Sequence, residues 1–404
     1  MRVMVALEER FLSTPDGSFY SQSSFDYRFW QRYLKVFDEV VIFARAMQVP
    51  DKPSGKTYAN GLGVKFLPLP CFIGPWQYLM KYFSLASLAR KAVKQPEAFI
   101  LRIPGIVSTL LWYELRKRNI PFGVEVVGDP WDSLAAGSVK SISRPYVRWK
   151  FARVAADQCR GACAASYVTR YSLQKKYPPG GWSTDYSSVE LPVDAIADEG
   201  MVRRRVERIK AKADSGGPWF ICYAGTMAQL YKAPDILIDA AAKCVSEGIN
   251  LKLIMLGDGQ YKTWLRERAK KLGTGNKVEF VGMVPPGRRV LEYFDEMDLY
   301  VLPSRQEGLP RSVIEAMARG LPCIGSTVGG FSELLEPEFL VAPADVEMLY
   351  EKLKYVISNA DMMKKAVSRN IEIAREYTAD VLELRRIEFY EKVKNMTIER
   401  TGNV

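Results

Sequence analysis

Two glutamates separated by seven residues bracket the stretch Glu307-Gly-Leu-Pro-Arg-Ser-Val-Ile-Glu315, and their setting suits them to bind a ligand. The apolar run Leu299 to Leu302 predicts a short buried strand, stopped by Pro303-Ser304. A helix is expected from Pro310, whose fixed φ suits a first helical turn. Ile314, Met317 and Ala318 give that helix an apolar face, Gly320 ends it, and Pro322 to Ser326 reads as the next strand. Gly329-Gly330 and Glu333 close the unit. Glu307 then sits in the loop before the helix and Glu315 about one turn inside it. A helix N-terminus at the carboxyl end of a strand attracts anions, and carboxylates accept hydrogen bonds from hydroxyls. A ligand with both phosphate and polyol is a nucleotide sugar.

Composition narrows the chemistry. The chain of 404 residues has no histidine, which excludes Ser-His-Asp triads, histidine-ligated zinc and any imidazole base. Proton transfer must rest on carboxylates, tyrosine, lysine or the substrate. A net charge of +11 favours anionic partners, but no nucleic-acid motif accompanies it, so nucleic acid is set aside. The six cysteines lie mostly in apolar runs and read as buried free thiols of a reducing compartment. No cluster has metal-ligand spacing, and no metal is expected. No apolar run is long enough to cross a bilayer, and Met1 to Leu7 with Glu8-Glu9 after it does not read as a signal peptide. The expected location is cytoplasmic, with peripheral attachment to the inner face of the cell membrane left open.

The elements that must position these residues alternate along the chain. Strands are expected at Arg2 to Leu7, Glu39 to Ala44, Val64 to Leu67, Phe99 to Leu101, Phe122 to Val127 and Ala162 to Ala165. Amphipathic stretches such as Phe25 to Phe37 and Ile106 to Arg118 lie between them. That alternation predicts an α/β fold with a doubly wound parallel sheet, whose ligands gather beyond the carboxyl ends of the strands. The loops there carry Gly17, Arg102 and Asp129. Arg102 could meet an acceptor or a phosphate, or be a surface arginine before a turn. Asp129 could stand near an acceptor hydroxyl, or simply form the turn before Pro130. Phe72 to Phe83 is rich in aromatics, and Arg144 to Arg153 interleaves aromatic and basic residues. Both stretches suit either an anionic membrane surface or a core helix with a solvated basic face.

From Asp194 to Gly217 the chain turns polar, with Arg203-Arg-Arg205 and Lys210 to Lys212, and reads as a basic helix and flexible join at a domain boundary. A second strand–turn series follows. Trp219 to Ala224 runs into Gly225-Thr226 and Lys232; Leu253 to Leu256 runs into Gly257-Asp-Gly259; Val278 to Gly282 runs into Met283. A glycine after a strand admits a ligand to the backbone, and a lysine at the next helix can neutralise a diphosphate.

The segment from Glu307 to Pro322, with Pro303-Ser304 before it and Gly329-Gly330 after it, closely resembles the signature of retaining glycosyltransferases of the GT-B fold, the family 4-like or group 1 glycosyl transferases. The resemblance covers residues 219 to 343 by motif and the first half by architecture. It implies two Rossmann-like domains facing a cleft: residues 1–197 on the acceptor side, with 377–404 packing back on them, and residues 198–376 holding the donor. It further implies that Glu315 binds the nucleotide ribose, Glu307 faces the donor sugar and Lys232 holds the diphosphate. Gly225, Thr226, Gly257, Val278, Met283, Gly308, Leu309 and Pro310 would complete the donor site. Gly17, Arg102 and Asp129 would lie on the acceptor side, with Asp129, Glu307 and Lys232 as the catalytic candidates. The chain departs from the pattern at three points. Thr226 replaces an arginine, Gly17 stands alone where relatives have a glycine-rich loop, and the usual histidine near Asp129 is missing. The implied function is metal-independent and cofactor-free transfer of a sugar from a UDP- or GDP-sugar to a glycan or lipid-linked acceptor, in cell-surface polysaccharide or glycolipid synthesis. The alternatives are a nucleotide-sugar epimerase of the same fold and a non-catalytic scaffold.

Overall fold

A computed structural model describes residues 1–94, 98–133, 144–189 and 191–401. Residues 402–404, the end of the predicted C-terminal segment, lie outside them. The chain divides into two compact units, one formed by Met1–Tyr186 and the chain from Glu383 onward, the other by Ser187–Leu382.

The first unit holds strands β1 (Arg2–Ser13), β2 (Phe19–Ser21), β3 (Glu39–Gln48), β4 (Thr57–Tyr58), β5 (Val64–Pro70), β6 (Ala98–Ile103), β7 (Gly123–Val126), β8 (Ala164–Tyr167) and β9 (Trp182–Asp185). They pair in parallel in the order β5-β3-β1-β6-β7-β8-β9, with β2 and β4 added antiparallel beside the far half of β1. Val3, Val5, Ile42, Ile100 and Val124 are fully buried, as expected of strands covered on both faces. The connecting helices are α1 (Tyr27–Leu34), α2 (Gly74–Ala92), α3 (Ile106–Lys117), α4 (Pro130–Ser133), α5 (Arg144–Gly161) and α6 (Ser172–Lys176).

The expected end of β1 at Leu7 is corrected. The strand runs on past Glu8 with a register irregularity between Ala6 and Arg10, because Phe11 and Leu12 return to the core. The Glu8 carboxylate is held by Arg45 at 2.5 Å and by the Val107 amide at 2.6 Å. It thus satisfies the start of α3, which no side chain of its own N-cap residue, Gly105, can cap. Gly17 falls in the exposed turn of the β1–β2 hairpin, so the loop after β1 is no phosphate cradle.

The second unit holds β10 (Trp219–Ala224), β11 (Leu251–Leu256), β12 (Val278–Gly282), β13 (Leu299–Leu302), β14 (Cys323–Ser326) and β15 (Leu340–Val341), all parallel in the order β12-β11-β10-β13-β14-β15. Around them pack α7 (Glu199–Ser215), α8 (Pro234–Ser246), α9 (Lys262–Lys271), α10 (Arg288–Glu296), α11 (Arg311–Ala318), α12 (Phe331–Leu334), α13 (Val346–Ile357) and α14 (Ala360–Arg375). The basic stretch expected as a join is α7, and it is built into this unit. Buried Arg205 donates to the carbonyls of Phe294, Met297 and Arg319, while Lys212 and Arg208 pair with buried Asp298. These carbonyls lie at the ends of α10 and α11, where backbone acceptors lack helical partners.

The last helix, α15 (Ala379–Thr401), packs in the first unit from Glu383 onward, with Phe389, Tyr390 and Val393 fully buried. A side chain at Gly123 would meet Val393 at 2.5 Å, so β7 needs that glycine to seat the helix.

Candidate functional site

In the second unit the parallel strands end along one edge, and the sequence-predicted donor residues other than Val278 lie at or beyond that edge. Gly225 follows β10 and Gly257 follows β11. The Gly225 amide donates to the Leu256 carbonyl at 3.0 Å. Gly257 has φ +127°, and a Cβ there would stand 1.9 Å from the Gly225 carbonyl oxygen. The two loops therefore touch backbone to backbone, which only glycine permits. Thr226 accepts a bond from the Ala228 amide at 3.1 Å and shapes the turn that leads to Lys232.

Lys232 closes a single 3-10 turn, and its Nζ lies 3.1 Å from Oε2 of Glu307, both side chains largely buried. A clasp absent from the sequence-based site fixes this pair. Arg305, just before Glu307, binds Asp235 at the start of α8 with two bonds of 2.8 and 2.7 Å. It also donates to the Leu230 carbonyl at 2.7 Å, and its amide donates to that of Tyr231. Bidentate pairs of this kind fix geometry as well as charge. Arg305 and Asp235 stand 70 positions apart, so no local pattern connects them.

Glu315 lies half-buried on α11. Burial pushes its carboxyl above the ordinary 4.5, and the charges of Arg311 and Lys232 counter this only in part. The N-cap residue of α11 is Pro310, which offers no side-chain cap. Its carbonyl accepts from Val313 and Ile314, while the Arg311 and Ser312 amides have no partner among the described residues. Tyr300, buried in β13, sets the start of the helix by bonding Ser312 Oγ at 2.7 Å and the Ala224 carbonyl at 3.2 Å. Gly329, with φ +54°, passes so close to Glu307 that a Cβ would meet its carbonyl oxygen at 2.1 Å, and the Gly330 amide donates to Gly308 at 2.7 Å. Leu309 and Pro310 are buried beneath this turn. Met283 is exposed beyond β12 and, with Val281, Pro285 and Tyr293, lines a cavity of about 410 Å³. Val278 is at the other end of β12, with its side chain buried in the sheet.

Lys232, Arg311 and two unpartnered amides thus supply positive potential beside two carboxylates. Arg311 was not among the sequence candidates, although its place in the first helical turn was visible. It brings a cation within electrostatic reach of Glu315 and Tyr231.

The candidates of the first unit are engaged elsewhere. Arg102 is a buried partner of Glu125, whose carboxylate also accepts bonds from Tyr33 at 2.9 Å, Tyr186 at 2.8 Å and Tyr390 at 3.2 Å. Burial pushes the Glu125 carboxyl up, but Arg102 and the tyrosine hydroxyls outweigh it and hold it below the ordinary value. Asp129 is also buried. It accepts from the Trp131 amide at 2.8 Å, Lys176 at 2.5 Å and Tyr177 at 2.6 Å. These bonds offset the cost of burial and keep its carboxyl low. Asp129 therefore clasps α4 to α6, and its oxygens are not open toward an acceptor.

The two aromatic stretches are α2 and α5. Trp76, Met80 and Phe83 of α2 and Tyr146 and Trp149 of α5 are exposed, which excludes the core-helix reading for these side chains. Arg148 turns back onto Trp131, donating to its carbonyl at 2.6 Å. All six cysteines are free thiols. Among the described residues no group of three or more His, Cys, Asp or Glu could hold a metal ion, and no helix is long and apolar enough to cross a membrane.

Residues 205–373 match the family described as glycosyl transferases group 1. Protein CapJ of Staphylococcus aureus is 26% identical over 372 residues, 91% of this chain and 90% of that protein. Among solved structures, sucrose-phosphate synthase from Thermosynechococcus elongatus aligns with a TM-score of 0.65 at 15% identity, over 98% of this chain and 100% of that one. Anabaena Alr3699/HepE, in complex with UDP, aligns with a TM-score of 0.63 at 15% identity, over 96% and 99%.

Proposed function

We propose that this chain, a glycosyltransferase of the GT-B fold with a group 1 domain at residues 205–373, moves a sugar from a nucleoside-diphosphate donor to a glycan or lipid-linked acceptor with retention at the anomeric carbon. The observation that carries the reading is the meeting of Lys232, Glu307 and Glu315 at the start of α11. Glu315 takes the ribose hydroxyls, and Lys232 and Arg311 take the diphosphate. Glu307 faces the sugar. As the glycosidic bond breaks, negative charge grows on the leaving phosphate and positive charge on the sugar. Lys232 and the free amides of Arg311 and Ser312 meet the first, and the Glu307 carboxylate meets the second. The departing phosphate accepts the proton of the acceptor hydroxyl, so a chain without histidine can complete the transfer. No metal or cofactor takes part in this scheme.

A uracil nucleotide is the first donor to test, because the UDP complex of Alr3699/HepE shares this fold. Identity of 34% over 102 residues with the Vi polysaccharide biosynthesis protein VipC/TviE of Salmonella typhi supports a role in polysaccharide synthesis. The exposed aromatic residues of α2 and α5 support peripheral attachment at the inner face of the cell membrane. A panel of UDP-, GDP- and ADP-sugars, scored by thermal shift and by sugar release, tests the reading. Stabilisation and turnover by one nucleotide class are expected; no response to any of them overturns it.

A further inference from the structure

Helix α2 is apolar on more than one side. Leu85 and Ala89 point into the core, Tyr78 and Tyr82 line a cavity, and Trp76, Met80 and Phe83 face solvent at 78%, 84% and 84% exposure. A helix apolar all round is ordinarily buried, so the solvent-facing side requires a reason. The cavity lies between α2, α3 and α5, with a volume of about 540 Å³, inside the range of roughly 300–1,000 Å³ usual for ligand sites. Phe72, Leu110, Tyr113 and Phe151 form much of its wall. Of its other polar side chains, Thr109 donates to the Gly105 carbonyl and Gln158 is turned toward Thr109. A polar ligand would lose its bonds to water there with little in return.

The rim differs from the wall. Arg144 and Lys150 stand on the lining, while Arg45, also on it, is already paired with the Glu8 carboxylate at 2.5 Å. Lys150 is exposed and makes no ion pair among the described residues.

We infer that this cavity holds the hydrocarbon chain of a lipid-linked acceptor, with its phosphate against Lys150. The exposed side of α2 rests on the bilayer, so the chain passes from membrane to cavity without crossing water. This deepens the transfer reading and rests on it, since it assigns the acceptor to the lipid-phosphate class.

The test uses the full-length protein and farnesyl phosphate, a short prenyl phosphate, as probe. Binding is followed by calorimetry beside inorganic phosphate, with UDP titrated into the same samples. Val147→Trp, which fills the cavity from α5, is expected to weaken farnesyl phosphate binding by about tenfold or more. Lys150→Glu, an exposed change that leaves the core alone, is expected to weaken it severalfold and to reduce its salt dependence. Melting temperature and UDP affinity should not move in either variant. Farnesyl phosphate bound no more tightly than inorganic phosphate, or bound equally well by both variants, overturns the inference. So does binding to phosphatidylglycerol vesicles without binding to the probe, which would make the surface a bilayer contact only. UDP binding without probe binding removes this inference and leaves sugar transfer standing. Probe binding without UDP binding removes the donor reading and keeps the cavity's ligand class.

Discussion

The ammonium of Lys232 rests 3.1 Å from the Glu307 carboxylate, two residues from different loops held together by the Arg305–Asp235 clasp. The pair places a cation for the diphosphate and an anion for the sugar side by side. Lys232→Met should weaken UDP binding far more than uridine binding, since only the former carries the diphosphate. Loss of a charge-assisted bond of about 1.5–3 kcal/mol corresponds to roughly tenfold or more in Kd. Equal losses for both ligands, by calorimetry, would place Lys232 away from the phosphates.

The two glutamates should separate kinetically. Glu315→Gln replaces a charged bond to ribose by a neutral one and should raise the nucleotide Kd by about tenfold. Glu307→Gln should lower turnover more than affinity, because the charge it faces develops only as the bond breaks. Nucleotide binding abolished by Glu307→Gln and untouched by Glu315→Gln would reverse the assignment.

Glu315 also makes a pH prediction. Its carboxyl is raised by burial, so in the folded protein it gives up its proton later than in the unfolded chain, which ionises near 4.5. Between those two values the folded state holds more protons, and its stability falls as pH rises. Above the folded value the penalty is complete. Glu315→Gln removes it, so the ligand-free variant should melt higher than the parent at neutral pH and together with it near about pH 3.5. A variant that melts lower at neutral pH would mean that the carboxylate stabilises the fold.

In the first unit, Glu125 gathers Arg102, Tyr33, Tyr186 and Tyr390. Glu125→Ala leaves a buried guanidinium without its counter-charge and should cost about 3–5 kcal/mol in urea unfolding. Tyr390→Phe removes one bond to a charged group and should cost about 1.5–3 kcal/mol. An Arg102→Leu/Glu125→Leu double variant close to parental stability would fit the same account, since both charges leave together. A Glu125→Ala variant with parental unfolding would contradict the network.

Transfer should proceed in EDTA, because lysine, arginine and helix amides carry the charge stabilisation proposed here. Complete loss of transfer in the chelator, restored by magnesium or manganese, would require a metal in the scheme.

Strand runs, the helix beginning at Pro310 and the spacing of Glu307 and Glu315 were legible in the sequence because each depends on neighbours within a few residues. Leu299–Leu302 and Trp219–Ala224 are apolar enough to be strands in any context that covers both faces. Gly225 and Gly257 could be read as turns, but their contact with each other could not, because it joins adjacent strands far apart in the chain. Charged residues outside that motif were the least legible. Arg102, Asp129 and Arg205 look alike in sequence to surface residues, and whether each faces water, a carboxylate or a row of helix-end carbonyls is set by what the tertiary fold brings beside it. Arg305 and Asp235 make the same point in the second unit. A buried charge must find its partner in space, and only the folded chain decides which partner that is.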